Sequence, residues 1–174
     1  EFFRDPIEQW SLLRRRVLPE IKRRLIQEDI PILQAWSAGC CDGRETYSLA
    51  LELQPLLSII PSLKLNVIGT DINSQSLHTA KAGIYSLDER TIVEDNRLNA
   101  MFEHYGPSEF QDHQLYKIAA PIRGIVTFEQ NSILSDWGEK STSGIIFMCN
   151  MAMHLTKEAQ HKIVQRLKDE TSEG

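Results

Sequence analysis

Between Trp36 and Leu53 the apolar pattern changes from that of a buried strand to that of a helix, across a turn of small residues, WSAGCCDGRE. Ile32, Leu33, Ala35 and Trp36 form a short apolar run suited to a buried parallel strand. Tyr47, Leu49, Ala50, Leu51, Leu53 and Leu57 then supply one apolar helical face. Gly39 and Gly43 let the backbone turn tightly and approach a ligand, and Glu45 falls in the first helical turn. This is the layout of a first βα turn in a doubly wound α/β sheet, and it places a nucleotide-like cofactor there. The spacing is not G-x-G-x-x-G, so a pyrophosphate is disfavoured. A carboxylate at Glu45 repels pyrophosphate but accepts hydrogen bonds from a ribose or an amine.

Downstream, Leu65, Val67 and Ile68 lead into Gly69-Thr70-Asp71, a second strand with an acid at its carboxyl end. In a Rossmann-like sheet such an acid sits beside the first turn and can take both ribose hydroxyls. Asp71 can instead cap the next helix, although Asn73 competes for that position. That helix is predicted over Ser76–Ala82, stopped by Gly83. Tyr85 to Gln114 is irregular and charged and is expected to be a crossover insertion containing a helix. Leu115–Ile118 and Ile125–Phe128 read as strands separated by Pro121 and Gly124, and Ile145–Phe147 as a fourth buried strand. Thr156 is a candidate N-cap for a helix carrying Ala159, Ile163, Val164 and Leu167.

Upstream, Asp5-Pro6-Ile7-Glu8 reads as a helix start, with the helix running to about Val17 and a second one starting at Pro19. Arg14, Arg15, Arg16, Lys22, Arg23 and Arg24 give six basic residues within eleven. They form either a solvated face or a docking patch for an acidic partner. One domain over 1–174 is expected, with a helical segment at about 5–28 leading into it. A net charge of −5 argues against nucleic-acid binding, and no apolar run approaches a membrane span. The three cysteines make neither a disulfide framework nor a zinc pattern, so no metal is expected and a cytoplasmic setting is. Cys40 and Cys41 read as buried small residues of the turn rather than nucleophiles.

WSAGCCDGRETYSLALEL resembles the W-S-A-G-C-A-T-G-E-E-P-Y-S-L-A segment of the CheR-type chemoreceptor glutamate methyltransferases. Four more matches follow in register: FFRDP at Phe2–Pro6, GTDIN at Gly69–Asn73, AKAGIY at Ala80–Tyr85 and IFMCNM at Ile146–Met151. The resemblance implies S-adenosylmethionine as cofactor, S-adenosylhomocysteine as product, and O-methylation of glutamate side chains on a chemoreceptor cytoplasmic domain or another acidic protein. It also implies that the domain continues beyond both ends of this chain. It assigns cofactor contacts to Arg4, Gly39, Glu45, Asp71, Asn131, Ser132, Asn150 and Met151. Arg4, and His154 in place of a family tyrosine, are the implied catalytic residues.

Two departures fall at the reaction centre: His154 for that tyrosine, and Cys149 for the arginine of the family's C-R-N. A third, Ser132, replaces the leucine of V-x-F-x-x-x-N-L and is expected to weaken adenine packing. These departures keep two alternatives open, a non-catalytic cofactor-binding sensor or scaffold and a small-molecule methyltransferase. The implied strand order leaves Ile145–Phe147 at an open edge, where self-association is an expectation.

Overall fold

The computed structural model describes residues 7–88, 96–109, 113–138, 140, 144–149 and 151–171. Asp5, the expected helix cap, and the rest of the FFRDP segment up to Pro6 lie outside these residues. Helix α1 (Ile7–Leu12) passes through a π turn (Leu13–Val17) directly into α2 (Leu18–Gln27). The expected break at Pro19 is therefore replaced by one continuous rod. The Leu18 N–H reaches back five residues to the Leu13 carbonyl, and this wider turn brings Pro19 in as a first-turn residue of α2. Proline is tolerated there because it lacks only a hydrogen bond that a helix start does not make. Three of the six clustered basic side chains are held by carboxylates: Arg14 by Glu52 at 2.6 Å, Arg23 by Glu20, and Arg24 by Glu28 at 3.2 Å.

Strand β1 (Ile32–Ala38) leads into α3 (Arg44–Leu53), followed by α4 (Pro55–Ile59), β2 (Lys64–Asp71) and α5 (Ser74–Ala82). Asn73 caps α5, accepting from the N–H groups of Gln75 and Ser76, and Gly83 ends it at φ +61°. Next come β3 (Ile84–Asp88), α6 (Asn96–Met101), β4 (Phe102–Pro107), β5 (His113–Ile118), α7 (Ala120–Arg123) and β6 (Val126–Gln130). A three-residue strand β7 (Ile145–Phe147), a 3-10 turn (Ala152–His154) and α8 (Lys157–Thr171) follow.

The central sheet is parallel, in the order β6-β2-β1-β7, and this is the expected doubly wound arrangement. β1 is in register with β2 over seven pairs, from Ile32–Lys64 to Ala38–Thr70. Ala35 and Trp36 face Ile145 and Ile146 of β7 on the other side. Among the described residues β7 pairs with β1 alone, so its outer edge is open as expected.

The two-residue period of a strand divides the core between the faces of this sheet. Leu33, Ala35, Leu65 and Val67 join one cluster with Tyr47, Leu49 and Leu53 of α3 and Trp10, Leu13 and Leu25 of the N-terminal rod. Trp36, Ala38 and Ile68 join the opposite cluster with Ile133, Trp137 and Ile163 of α8. The Trp36 indole N–H donates to Thr70 Oγ1 at 2.9 Å, so this buried ring carries no unpaired donor.

β3, β5 and β4 form a separate antiparallel sheet. The expected crossover thus contains its helix, α6, but also two strands that the sequence pattern does not mark. In β4 only Phe102 is buried while most residues after it face solvent, so the chain shows no apolar alternation there.

Trp10 fixes the rod to the sheet: it is 3% exposed and its ring lies 4.6 Å from that of Phe147. Trp10→Ala should cost about 3–5 kcal/mol, read as a lowered urea midpoint with an unchanged slope.

Candidate functional site

A cavity of about 640 Å³ opens at the carboxyl ends of the parallel strands, where ligands of open α/β sheets sit. Its inner wall is the turn between β1 and α3. The N–H groups of Gly39 and Cys40 both donate to the Thr70 carbonyl, at 2.8 and 2.9 Å, and the Gly43 N–H donates to the Cys40 carbonyl at 2.9 Å. Gly39, Cys41 and Gly43 have φ of +74°, +51° and +87°. A Cβ on Gly43 would lie 2.7 Å from Ala80 Cβ, so glycine is required there for space as well as conformation, while at Gly39, where a Cβ would meet only the flexible Met151 side chain, the positive φ is the constraint. Cys40 is buried as expected, but Cys41 is exposed. Its left-handed backbone swings the thiol outward, toward Ser76 Oγ at 3.9 Å.

Asp71 stands at the end of β2, opposite this turn. Its carboxylate accepts the Cys41 N–H at 2.8 Å and the Asn73 N–H at 2.9 Å, one on each oxygen. Because Asn73 is the cap of α5, the capping alternative for Asp71 falls away. Each oxygen keeps a further lone pair for a ligand hydroxyl.

Glu45 projects from the first turn of α3 toward Ser37, which is fully buried and donates to Glu45 Oε1 at 2.6 Å. Burial pushes the Glu45 carboxyl up to about 7, against the lowering effect of hydrogen bonds from Ser37 and from the thiol and backbone N–H of Cys149. The Cys149 thiol also lies 2.7 Å from Gln9 Oε1, so its one proton has two acceptors. Burial and the neighbouring Glu45 charge raise this thiol well above its ordinary range, which makes it an inert hydrogen-bonding group rather than a nucleophile.

Asn131, Ser132, Met151 and His154 line the same cavity as Gly39, Glu45 and Asp71. Seven of the nine residues singled out in the sequence are thus brought together, while Arg4 and Asn150 lie outside the described residues. Asn131 Nδ2 donates to the Asp136 carbonyl at 3.3 Å. His154 is exposed in the 3-10 turn after β7. Trp10, Arg44, Ile72 and Leu134 also line the cavity and were not anticipated. Arg44 is braced by Asp42 at 3.0 Å and lies 5.0 Å above the Tyr85 ring. Its place directly before Glu45 is the one signal that could have flagged it. No group of three or more metal-ligating side chains occurs among the described residues, and no described helix is long and apolar enough to cross a membrane.

These features fit an adenosyl amino acid. The glycine turn admits close approach, Asp71 offers paired acceptors for vicinal hydroxyls, and a carboxylate lies within the same space. The family model described as "CheR methyltransferase, SAM binding domain" matches residues 1–174. A probable chemotaxis protein methyltransferase of Rhizobium etli is 27% identical over 173 residues, covering 99% of this chain and 62% of that protein. A chemotaxis protein methyltransferase of Listeria innocua is 25% identical over 173 residues, covering 99% and 60%. One from Borreliella burgdorferi is 30% identical over 167 residues, covering 95% and 56%. The chain therefore spans less than two thirds of the length of each of these relatives.

The raised Glu45 carboxyl has a measurable effect on stability. Between about pH 4.5 and 7 it keeps its proton in the folded chain but loses it in the unfolded one. Stability should therefore fall as pH rises through that window, by about 3 kcal/mol in total. Urea denaturation at pH 5 and pH 8 should show Glu45→Gln lacking that loss, so that the variant gains on wild type at pH 8.

Proposed function

Because the chain belongs to the CheR methyltransferase family, we propose that it binds S-adenosylmethionine in this cavity and methylates glutamate side chains of a chemotaxis receptor. The observation that carries the reading is the meeting of the Gly39–Glu45 turn with Asp71 at adjacent strand ends. Asp71 takes the ribose hydroxyls, Glu45 faces the cofactor's amino group, and Gly39 and Met151 flank the chain between them. Asn131 and Ser132 border the purine end. Arg4 and Asn150 take the family's cofactor roles, and Arg4 with His154 borders the acceptor.

The bound cofactor supplies an electrophilic methyl group on a sulphonium. A glutamate acceptor is already ionised at neutral pH, so the protein's task is to align it and to exclude water. His154 bears on that task, and Cys149 bears both on it and, through its hydrogen bonds to Glu45, on the charge state of the cofactor wall. They favour a second reading, a cofactor-binding module with slow or absent turnover. A small-molecule acceptor is a third outcome of the same assay.

Calorimetry with S-adenosylhomocysteine should give binding that Asp71→Ala weakens by about 1.5–3 kcal/mol. A folded variant that binds as well as wild type would remove Asp71 from the site. Affinity should also rise with pH up to about 7 and then level off, because an ionised Glu45 is the form that meets an ammonium.

Transfer of a tritiated methyl group to a receptor fragment separates enzyme from module. If the departures have cost two transition-state contacts of about 2 kcal/mol each, the pair His154→Tyr and Cys149→Arg should raise the rate up to roughly a thousandfold. Cofactor affinity should stay the same in His154→Tyr, whereas Cys149→Arg should raise it below about pH 7 by holding Glu45 ionised. Wild-type turnover that falls on reversion would mean that this chain has its own working arrangement.

A further inference from the structure

Among the described residues that line the cavity there are three carboxylates, Asp42, Glu45 and Asp71, and a single arginine or lysine, Arg44. A carboxylate entering this space is repelled by the three and attracted by the one. Both ligands of the reading above carry such a group, the cofactor at its amino-acid end and the acceptor on its side chain.

Arg44 is the first residue of α3, where a cation opposes the helix dipole, and Gly43 before it offers the helix no side-chain cap. Helix stability therefore does not account for an arginine there. Its guanidinium is braced from two sides: Nε donates to Asp42 Oδ2 at 3.0 Å, and the group lies 5.0 Å from the centre of the Tyr85 ring. Tyr85 is buried, and its hydroxyl donates to the Asp42 carbonyl at 2.7 Å, which ties ring, turn and guanidinium into one unit. The Arg44 and Asp42 side chains nevertheless remain 27% and 35% exposed, so a ligand can reach both.

Set against the family segments quoted above, three residues on this cavity change charge together. Arg44 stands where W-S-A-G-C-A-T-G-E-E has its first glutamate, Asp42 where it has threonine, and Cys149 where C-R-N has arginine. The positive charge lost at 149 and the negative charge gained at 42 are together offset by the exchange of an acid for a base at 44. The cavity thus keeps its formal charge, while its cation stands in the first turn of α3 instead of beyond β7.

We propose that Arg44 is a carboxylate-binding residue of this cavity, with Asp42 as its brace, and that it takes the carboxylate of the cofactor's amino-acid end or that of the acceptor side chain. The proposal rests on the cofactor reading above. An incoming carboxylate displaces or shares Asp42, and a forked pair of N–H···O bonds to the guanidinium is stronger than the single Nε contact it replaces.

The test is calorimetry on Arg44→Gln with three ligands: S-adenosylhomocysteine, methylthioadenosine, which lacks the amino-acid end, and a receptor fragment added to the S-adenosylhomocysteine complex. If Arg44 takes the cofactor's carboxylate, the variant should bind S-adenosylhomocysteine about tenfold more weakly and methylthioadenosine as the wild type does. If it takes the acceptor's, S-adenosylhomocysteine should bind unchanged and the fragment about tenfold more weakly, a loss that disappears when the fragment's acceptor glutamate is replaced by glutamine. Arg44→Lys should recover part of either loss, and Asp42→Asn, which removes the competing charge, should strengthen the same ligand by about threefold. Unchanged S-adenosylhomocysteine affinity in Arg44→Gln with no loss of fragment binding, while Asp71→Ala loses S-adenosylhomocysteine, would overturn the proposal and leave the cofactor reading standing. Equal losses of S-adenosylhomocysteine and methylthioadenosine would mean that Arg44 acts only through the shape of the turn, and would overturn it too. Failure of the wild type to bind either adenosyl ligand would remove the cofactor reading, and this proposal with it.

Discussion

The hydrogen bond from the Cys41 N–H to the Asp71 carboxylate, 2.8 Å long, joins the two strand ends on which the cavity depends. The turn it closes has three residues at positive φ, one of them not glycine, and such a turn holds only if the surroundings over-determine it. Thr70 supplies the rest of the restraint by accepting two N–H groups from the turn. A charged acceptor contributes about 1.5–3 kcal/mol in such a bond, enough to offset the conformational cost at Cys41. Asp71 therefore shapes the turn even before any ligand is present. Seven in-register pairs between β1 and β2 bring the two ends level.

The electrostatics of the inner wall follow from one substitution. Glu45 lies in the first turn of α3, where the helix dipole favours an ionised carboxylate by roughly 0.3–1 kcal/mol. Burial nevertheless dominates and lifts the group to about 7. An arginine at position 149, as in the family motif, would stand beside Glu45 and hold it ionised. The thiol found here gives only hydrogen bonds, and is itself raised by the same carboxylate. The raised Glu45 carboxyl and the thiol in place of the motif arginine are thus one structural fact seen from two sides.

The features read correctly from the sequence are those where a local rule and the tertiary fold agree. The strand-to-helix switch at Trp36–Leu53, the acid after β2, the stop at Gly83 and the Thr156 cap, which accepts the Ala159 N–H at 3.2 Å, are of this kind. β3 and β4 were missed because their order comes from pairing with β5 rather than from an apolar period. Pro19 was read as a break because nothing local announces the π turn that accommodates it.

The two ends of the cavity are built to different tolerances. The turn and Asp71 hang on the long strands β1 and β2, joined by seven pairs, and the exit of β6 is held to β2 by five. The other end is formed by Trp10 of the N-terminal rod and by Cys149 and His154 beyond β7, with Gln9 accepting from the Cys149 thiol. β7 meets the sheet through three pairs, and among the described residues it has no partner on its far side. Stacking of Trp10 on Phe147 and the Cys149–Gln9 contact therefore carry much of the positioning there. Substitution of the exposed His154 disturbs few core contacts, whereas a side chain at Gly43 collides at once with Ala80 and Phe128. Cys149 and His154, where the chain departs from the family motif, both lie at the loosely held end. On this architecture the end beyond β7 can diverge while the turn between β1 and α3 stays fixed by the core.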